Sequence, residues 1–188
     1  MKTFFSLIDQ LNNTSDHSDD IKAEIWRNYG SYKAVLALDM SGFSSTVRRE
    51  GIISYLAQIR KMQLLTQPLI TQHQGEVVKY EADNLLAIFD DCQMALDAAI
   101  AINKACFDTG VSIGLDYGQI VVIKEQDCYG DTVNVAFKLG EDIAQKNEIL
   151  ITTNIRQRLS RTVGVDLIEQ HISISGLSFL AYQVSISR

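Results

Sequence analysis

The stretch Ala34–Leu38, AVLAL, contains no polar side chain, and it ends on Asp39 followed by Met-Ser-Gly-Phe-Ser-Ser. A half-exposed strand alternates apolar and polar residues, so this run reads as a strand buried in a core. Its last residue is a carboxylate, and the turn that follows opens a helix. A carboxylate at a strand tip beside such a turn is one way to hold a divalent cation next to a phosphate. One aspartate does not establish that chemistry. The partners must come from the rest of the chain.

The chain has 188 residues, 46% of them hydrophobic, which suffices for one domain with a sizeable core. A formal net charge of −6 argues against binding nucleic acid or an anionic membrane. It leaves room for a small anionic ligand, because a few cations and bound metals reverse a local field. Cys92, Cys106 and Cys128 are far apart and form no CxxC pair, so no zinc site or disulfide framework is indicated. The N-terminus has one Lys and a short apolar run before Asp9, unlike a signal peptide, and no apolar run has the length of a membrane span. The expectation is a cytoplasmic protein without membrane or nucleic-acid partners.

Phe4, Leu7, Ile8 and Leu11 follow a helical spacing. The polar segment 12–20 reads as a loop, with Asp20 able to cap a second helix that Gly30 ends. Residues 1–30 are thus expected to be a helical extension to a domain of 31–188. The domain is predicted to open with a strand at 32–39 and helices at 43–49 and 52–73, the second broken or kinked at Pro68. Segment 75–91 reads as a hairpin turning at Ala82-Asp83-Asn84, and 92–106 as a helix. Segment 110–123 reads as a strand pair bending at Tyr117-Gly118. A helix over 129–147, a strand at Glu148–Thr152, a short helix and two closing strands complete the order. This is an α+β pattern, a mostly antiparallel sheet covered by helices.

Asp39 and Asp83 lie 44 residues apart, at a strand tip and in the hairpin. If hairpin and strand are neighbours, both carboxylates meet at one sheet edge and can bind Mg²⁺ or Mn²⁺ together with phosphates. Taken singly, each also reads as an ordinary turn residue.

The segments LDMSGFSS, VVKYEADNLLAIF and DCYGDTVNVAFKL, in this order and spacing, resemble the catalytic domain of class III nucleotidyl cyclases, the adenylate and guanylate cyclases. The resemblance covers about Ala34 to Leu159. It implies a ferredoxin-like βαββαβ core and a metal-dependent adenylate cyclase that converts ATP to cyclic AMP and pyrophosphate at a homodimer interface. Asp39, Asp83 and the carbonyl of Met40 match the ligands of two Mg²⁺ or Mn²⁺ ions per site. Lys79 and Asp127 match the base-selecting pair, of the type that goes with adenine. Asn134 matches the residue that orients the ribose. Lys138 stands where the family carries an arginine that stabilises the transition state. The backbone from Ser41 through Gly42 and Phe43 to Ser44 is positioned to bind phosphate oxygens. The resemblance implies that Asp39 and Asp83 come from one chain and Lys79, Asp127, Asn134 and Lys138 from the other.

Three departures stand out. Lys138 is a point charge where arginine offers a planar fork. Ala82 replaces a glycine before Asp83, and would be strained if that site needs a positive φ. Gln119 and Ser175 occupy places where relatives often carry basic contacts to the triphosphate. The segment between Ile123 and Asp127 is very short, so the extended dimer arm of many relatives is expected to be missing. A small form with thin phosphate contacts is also similar to pyrimidine cyclases of antiphage systems. The same residues are compatible with GTP as substrate, or with a weak or inactive cyclase-fold module for dimerisation or nucleotide sensing. Lys138 also reads as a surface lysine paired with Glu141 or Asp142. His17, His73 and His171 show no ligand spacing, and Trp26 reads as a packing residue.

Overall fold

The computed structural model describes residues 3–13, 18–162, 164–174 and 176–186. Two helices come first, α1 (Phe4–Asn13) and α2 (Ser18–Tyr29). Strand β1 (Gly30–Met40) then leads into α3 (Phe43–Glu50) and α4 (Ile52–Gln72). The hairpin β2 (Glu76–Glu81) and β3 (Asn84–Phe89) is followed by α5 (Cys92–Ala105), β4 (Val111–Ile123) and β5 (Asp127–Tyr129). Next come α6 (Asp131–Phe137), a π-helical segment (Lys138–Ile143), β6 (Ile149–Thr152) and α7 (Thr153–Arg156). Strands β7 (Val165–Ile174) and β8 (Leu177–Ile186) end the described fold. Among the described residues the sheet has eight strands in the order β2-β3-β1-β4-β6-β8-β7, with β5 paired to β4. Of these described strands only β4 and β6 run parallel. The segment from β1 to β4 has βαββαβ connectivity with strand order β2-β3-β1-β4, the ferredoxin-like arrangement.

Strand β1 is central, and the AVLAL run is buried because both faces are covered. Ala34, Leu36, Leu38 and Met40 pack with Met62 and Ile70 of α4 and with Ala95, Leu96, Ala99 and Ile102 of α5. Val35 and Ala37 pack on the opposite face with Val133 and Ala136 of α6. By this alternation Asp39 belongs to the α6 face. Helix α5 is capped by Asp91, whose carboxylate accepts from the Met94 N–H at 2.9 Å.

Segment 110–123 is one strand and not a bent pair. It pairs with β1 without interruption, from Gly30 opposite Val121 to Met40 opposite Val111. The chain turns instead at Lys124–Gln126, where Glu125 has φ 59°, and returns as β5. Gly118 serves close packing: a Cβ there would lie 2.2 Å from Oγ1 of Thr132 on α6. Helix α4 runs unbroken through Pro68. The carbonyl that proline leaves without a donor belongs to exposed Leu64, where water can satisfy it. The 12–20 loop is cut back, since Asn12 and Asn13 end α1 and α2 begins at Ser18, which puts Asp20 in the first turn and not at the cap. His17 and Ser175 lie outside the described residues.

The helix expected over 129–147 is α6 plus the π-helical segment, where the Ala144 N–H bonds the Leu139 carbonyl five residues back at 2.8 Å. This unit presses closely on the sheet. A Cβ on Gly114 would lie 2.2 Å from the Ala136 carbonyl and 2.5 Å from the Gly140 nitrogen. A Cβ on Gly140 would lie 2.9 Å from the Ala37 carbonyl. Backbone meets backbone at both points, so neither can yield by a rotamer change. Gly114→Ala is therefore expected to lower stability by roughly 1–3 kcal/mol in urea unfolding; a change below about 0.5 kcal/mol would refute this close approach.

Candidate active site

Asp39 is the last residue but one of β1, opposite Ser112 of β4. Asp83 sits in the tight turn of the β2–β3 hairpin, and β3 is hydrogen-bonded to β1 in register up to Leu38 opposite Leu85. The sheet thus brings the strand tip and the hairpin tip together. The two carboxylates are in electrostatic contact, and Glu141 of the π-helical segment acts on both. Burial, then Asp83, then Glu141 push the Asp39 carboxyl up to about 7. Burial, Asp142 and Asp83 also raise Glu141. Among the described residues neither Asp39 nor Asp83 forms an ion pair.

Two neutral groups organise the cluster. The Tyr55 hydroxyl of α4 donates to Oδ2 of Asp83 at 2.8 Å, and burial together with this bond raises its pKa. Asn84 donates from Nδ2 to Oε1 of Glu141 at 2.8 Å, tying the hairpin to the π-helical segment. The sequence pattern gives Asn84 only as a turn residue and Glu141 only as a partner for Lys138, and it gives Tyr55 no role. The one signal for Tyr55 is that it is a polar member of the buried stripe Tyr55, Met62, Thr66, Ile70 of α4.

The donor set fits divalent cations. Crowded carboxylates that resist ionising together are relieved by a bound cation. Such ions would be held by Asp39, Asp83 and the Met40 carbonyl, with the remaining ligands from water and phosphate. Among the described residues no group of three or more His, Cys, Asp or Glu side chains has a metal-holding arrangement. Immediately after Met40 and Ser41, Gly42 takes a left-handed conformation, φ 92° and ψ 21°, which turns the chain into α3. The Gly42 carbonyl accepts from the Thr46 N–H at 3.0 Å and from the Ser45 hydroxyl at 2.9 Å. Phe43 and Ser44 lie in the first turn of α3.

Lys79 and Asp127 form an ion pair at 2.9 Å, and Glu81 lies 3.2 Å from the same ammonium. The bond to Asp127 is the main cause raising the Lys79 pKa. A register shift between Val77 and Lys79 sets Lys79 opposite Leu86, whose side chain belongs to the α6 face. The bulge is what aims Lys79 at Asp127. Asp127 also accepts the Cys128 N–H at 2.8 Å. Asn134 is exposed on α6, and Lys138 follows one turn later, half-buried. Among the described residues the Lys138 ammonium has no ion pair, so the pairing with Glu141 or Asp142 does not form. Ala82 has φ 51°, the left-handed region, which costs a non-glycine residue about 1–2 kcal/mol. Gln119 is exposed on β4.

No family model matches the chain. A Rhizobium meliloti (strain 1021) protein, "Putative adenylate cyclase 3", is 25% identical over 146 residues, 72% of this chain. The chain spans 24% of the length of that relative. Among solved structures, an adenylate/guanylate cyclase/hydrolase from Silicibacter pomeroyi is 28% identical with a TM-score of 0.69, covering 82% of this chain and 96% of that one. The catalytic core of a rhodopsin-guanylyl cyclase with converted specificity, in complex with ATPαS, is 18% identical with a TM-score of 0.74, covering 85% and 99%. The fold is that of class III adenylate and guanylate cyclase catalytic domains, as the three sequence segments implied.

The Asp39 environment has a consequence for pH. Its carboxyl holds a proton up to about 7 in the fold but only to 3.8 in an unfolded reference. At this group the folded state therefore binds more protons between these values, and the contribution of Asp39 to stability without divalent cation falls as pH rises from about 4 to 7. Asp39→Asn is expected to be more stable than wild type at pH 8 and equal to it below pH 4, read by thermal unfolding in chelator. Parallel pH profiles for the two proteins would refute the assignment.

Proposed function

We propose that this chain is the catalytic domain of a divalent-metal-dependent adenylate cyclase, forming cyclic AMP and pyrophosphate from ATP at the interface of a homodimer. The observation that carries the reading is the crowded Asp39–Asp83 pair directly before the Ser41–Gly42 turn, with the Lys79–Asp127 pair on the same sheet. When bound, the metal ions make the ribose 3′-hydroxyl more acidic and neutralise the triphosphate. The chain's own residues do the rest. Lys79 donates to adenine N1 while Asp127 accepts from the 6-amino group. Asn134 holds the ribose so that the 3′-oxygen faces the α-phosphorus. Lys138 places its ammonium on the α-phosphate oxygens, where charge grows as the bond to pyrophosphate breaks.

A dimer is favoured by how these groups are presented. Asn134 is exposed on α6, Lys138 follows at the end of that helix, and its ammonium has no ion pair among the described residues of its own chain. A twofold dimer would set these side chains against the carboxylates of the other subunit and create two equivalent sites. Residues 31–188 would form this domain and 1–30 an accessory extension to it. A second reading, a slow or inactive cyclase-fold module, is favoured by the strained Ala82 and by a lysine at 138.

The shared site has a direct test. Asp39→Asn and Asn134→Ala are each expected to abolish cyclic AMP formation with Mn²⁺ and ATP. Mixed and allowed to exchange, they should recover about a quarter of wild-type activity, since half the dimers are mixed and each carries one good site. No recovery despite demonstrated subunit exchange would place the whole site within one chain.

A further inference from the structure

The carboxamide oxygen of Asn84, Oδ1, is buried and has no hydrogen-bond partner among the described residues. Buried polar side chains are nearly always paired, so an orphaned acceptor asks for a ligand. The amide cannot relieve this by turning over. Its Nδ2 donates to Oε1 of Glu141 at 2.8 Å, and a flipped amide would set its oxygen against that carboxylate.

The sheet places Asn84 beside the metal-site carboxylates. It follows Asp83 and is the first residue of β3. The antiparallel register of β1 and β3 runs from Ala34 opposite Phe89 to Leu38 opposite Leu85, so Asp39 and Asn84 are the next residues on the two strands. They share a face. Leu86 and Ile88 pack with Val35 and Ala37 on the α6 side, and alternation puts Asn84 and Asp39 on that side too. Side chains at facing positions of antiparallel neighbours have Cβ atoms about 4.5–5.5 Å apart. Glu141 is anchored to the same strand, since a Cβ on its neighbour Gly140 would lie 2.9 Å from the Ala37 carbonyl. Burial closes Oδ1 to water. A hydrogen-bonded water sits about 2.8 Å from an oxygen, whereas Mg²⁺ sits about 2.0–2.1 Å away, so an ion reaches an oxygen that water does not.

We infer that Asn84 is a side-chain ligand of the divalent cation at the Asp39–Asp83 site, its carbonyl oxygen bound to the ion and its amide held by Glu141 as a positioning residue. The inference deepens the metal site of the cyclase reading and rests on that reading. Amide oxygens are ordinary ligands of hard divalent cations. A neutral one adds a ligand without adding charge where carboxylates are already crowded. Glu141 then has a task distinct from ligation, the outer group that orients a ligand.

The test uses the full chain without nucleotide. Mn²⁺ binding is read from the loss of the free-ion electron paramagnetic resonance signal, and thermal unfolding in chelator checks that each variant is folded. Asp39→Asn should lose the binding, which identifies the site being measured. Asn84→Leu and the smaller variant Asn84→Ala are each expected to weaken Mn²⁺ about tenfold. Glu141→Gln and Glu141→Ala remove the same charge, but only glutamine keeps an acceptor for the amide, so alanine should weaken Mn²⁺ more. With Eu³⁺ as probe, luminescence lifetimes in H₂O and D₂O count the waters on the ion. That count should rise by about one in the Asn84 variants, as water takes the vacated position; a purely structural role would leave it unchanged. Equal Mn²⁺ affinity in the Asn84 variants and wild type, an unchanged water count, or no Mn²⁺ bound by wild type overturns the inference even if ATP is cyclised. Weaker binding and an added water in a protein that cyclises no nucleotide keep Asn84 as a ligand and overturn the cyclase reading.

Discussion

Crowding of carboxylates at the end of β1 is the constraint from which the other features follow. Asp39 is partly buried, close enough to Asp83 and Glu141 that its proton is held to about 7. Such a cluster destabilises a metal-free fold above neutral pH and is relieved by a divalent cation. The scaffold tolerates this because the surrounding sheet is well determined. β1 is paired along its length by β4 and flanked by β3, and both of its faces are covered. Tyr55 and Asn84 then fix two of the three carboxylates by neutral hydrogen bonds, which leave their charge intact.

The second constraint is the approach of α6 and the π-helical segment to the sheet. Gly114 and Gly140 remove the side chains that would hold the layers apart. The π-helical turn follows directly on α6, so Glu141 reaches Asp39 and Asp83 while Asn134 stays exposed and Lys138 half-exposed. One short unit thus serves its own site through Glu141 and, in the proposed dimer, the partner's site through Asn134 and Lys138. The bulge before Lys79 works similarly, because a single register shift decides which face the side chain addresses.

Much of this was legible in the residues. The unbroken apolar run announced a central strand, and the DMSG and EADN segments placed two carboxylates at strand ends, where the sheet does bring them together. The Lys79–Asp127 proximity followed from the resemblance and not from spacing. What escaped the sequence was tertiary. Tyr117-Gly118 has turn composition, yet Gly118 exists for Thr132 to pack on, so the strand continues. Pro68 failed to interrupt α4 because the carbonyl it orphans is at the surface. Glu141 carries no local motif; a π-helical turn gives it its position.

If these groups cyclise a nucleoside triphosphate with adenine preferred, the products will show it. The decisive measurement incubates the purified chain with Mn²⁺ and each of ATP, GTP, CTP and UTP, and identifies what forms by mass spectrometry. The expected result is 3′,5′-cyclic AMP and pyrophosphate from ATP, with the other three converted more slowly. A different cyclic nucleotide as main product would contradict the base assignment of Lys79 and Asp127, and no cyclic product from any of the four would contradict the enzymatic reading itself.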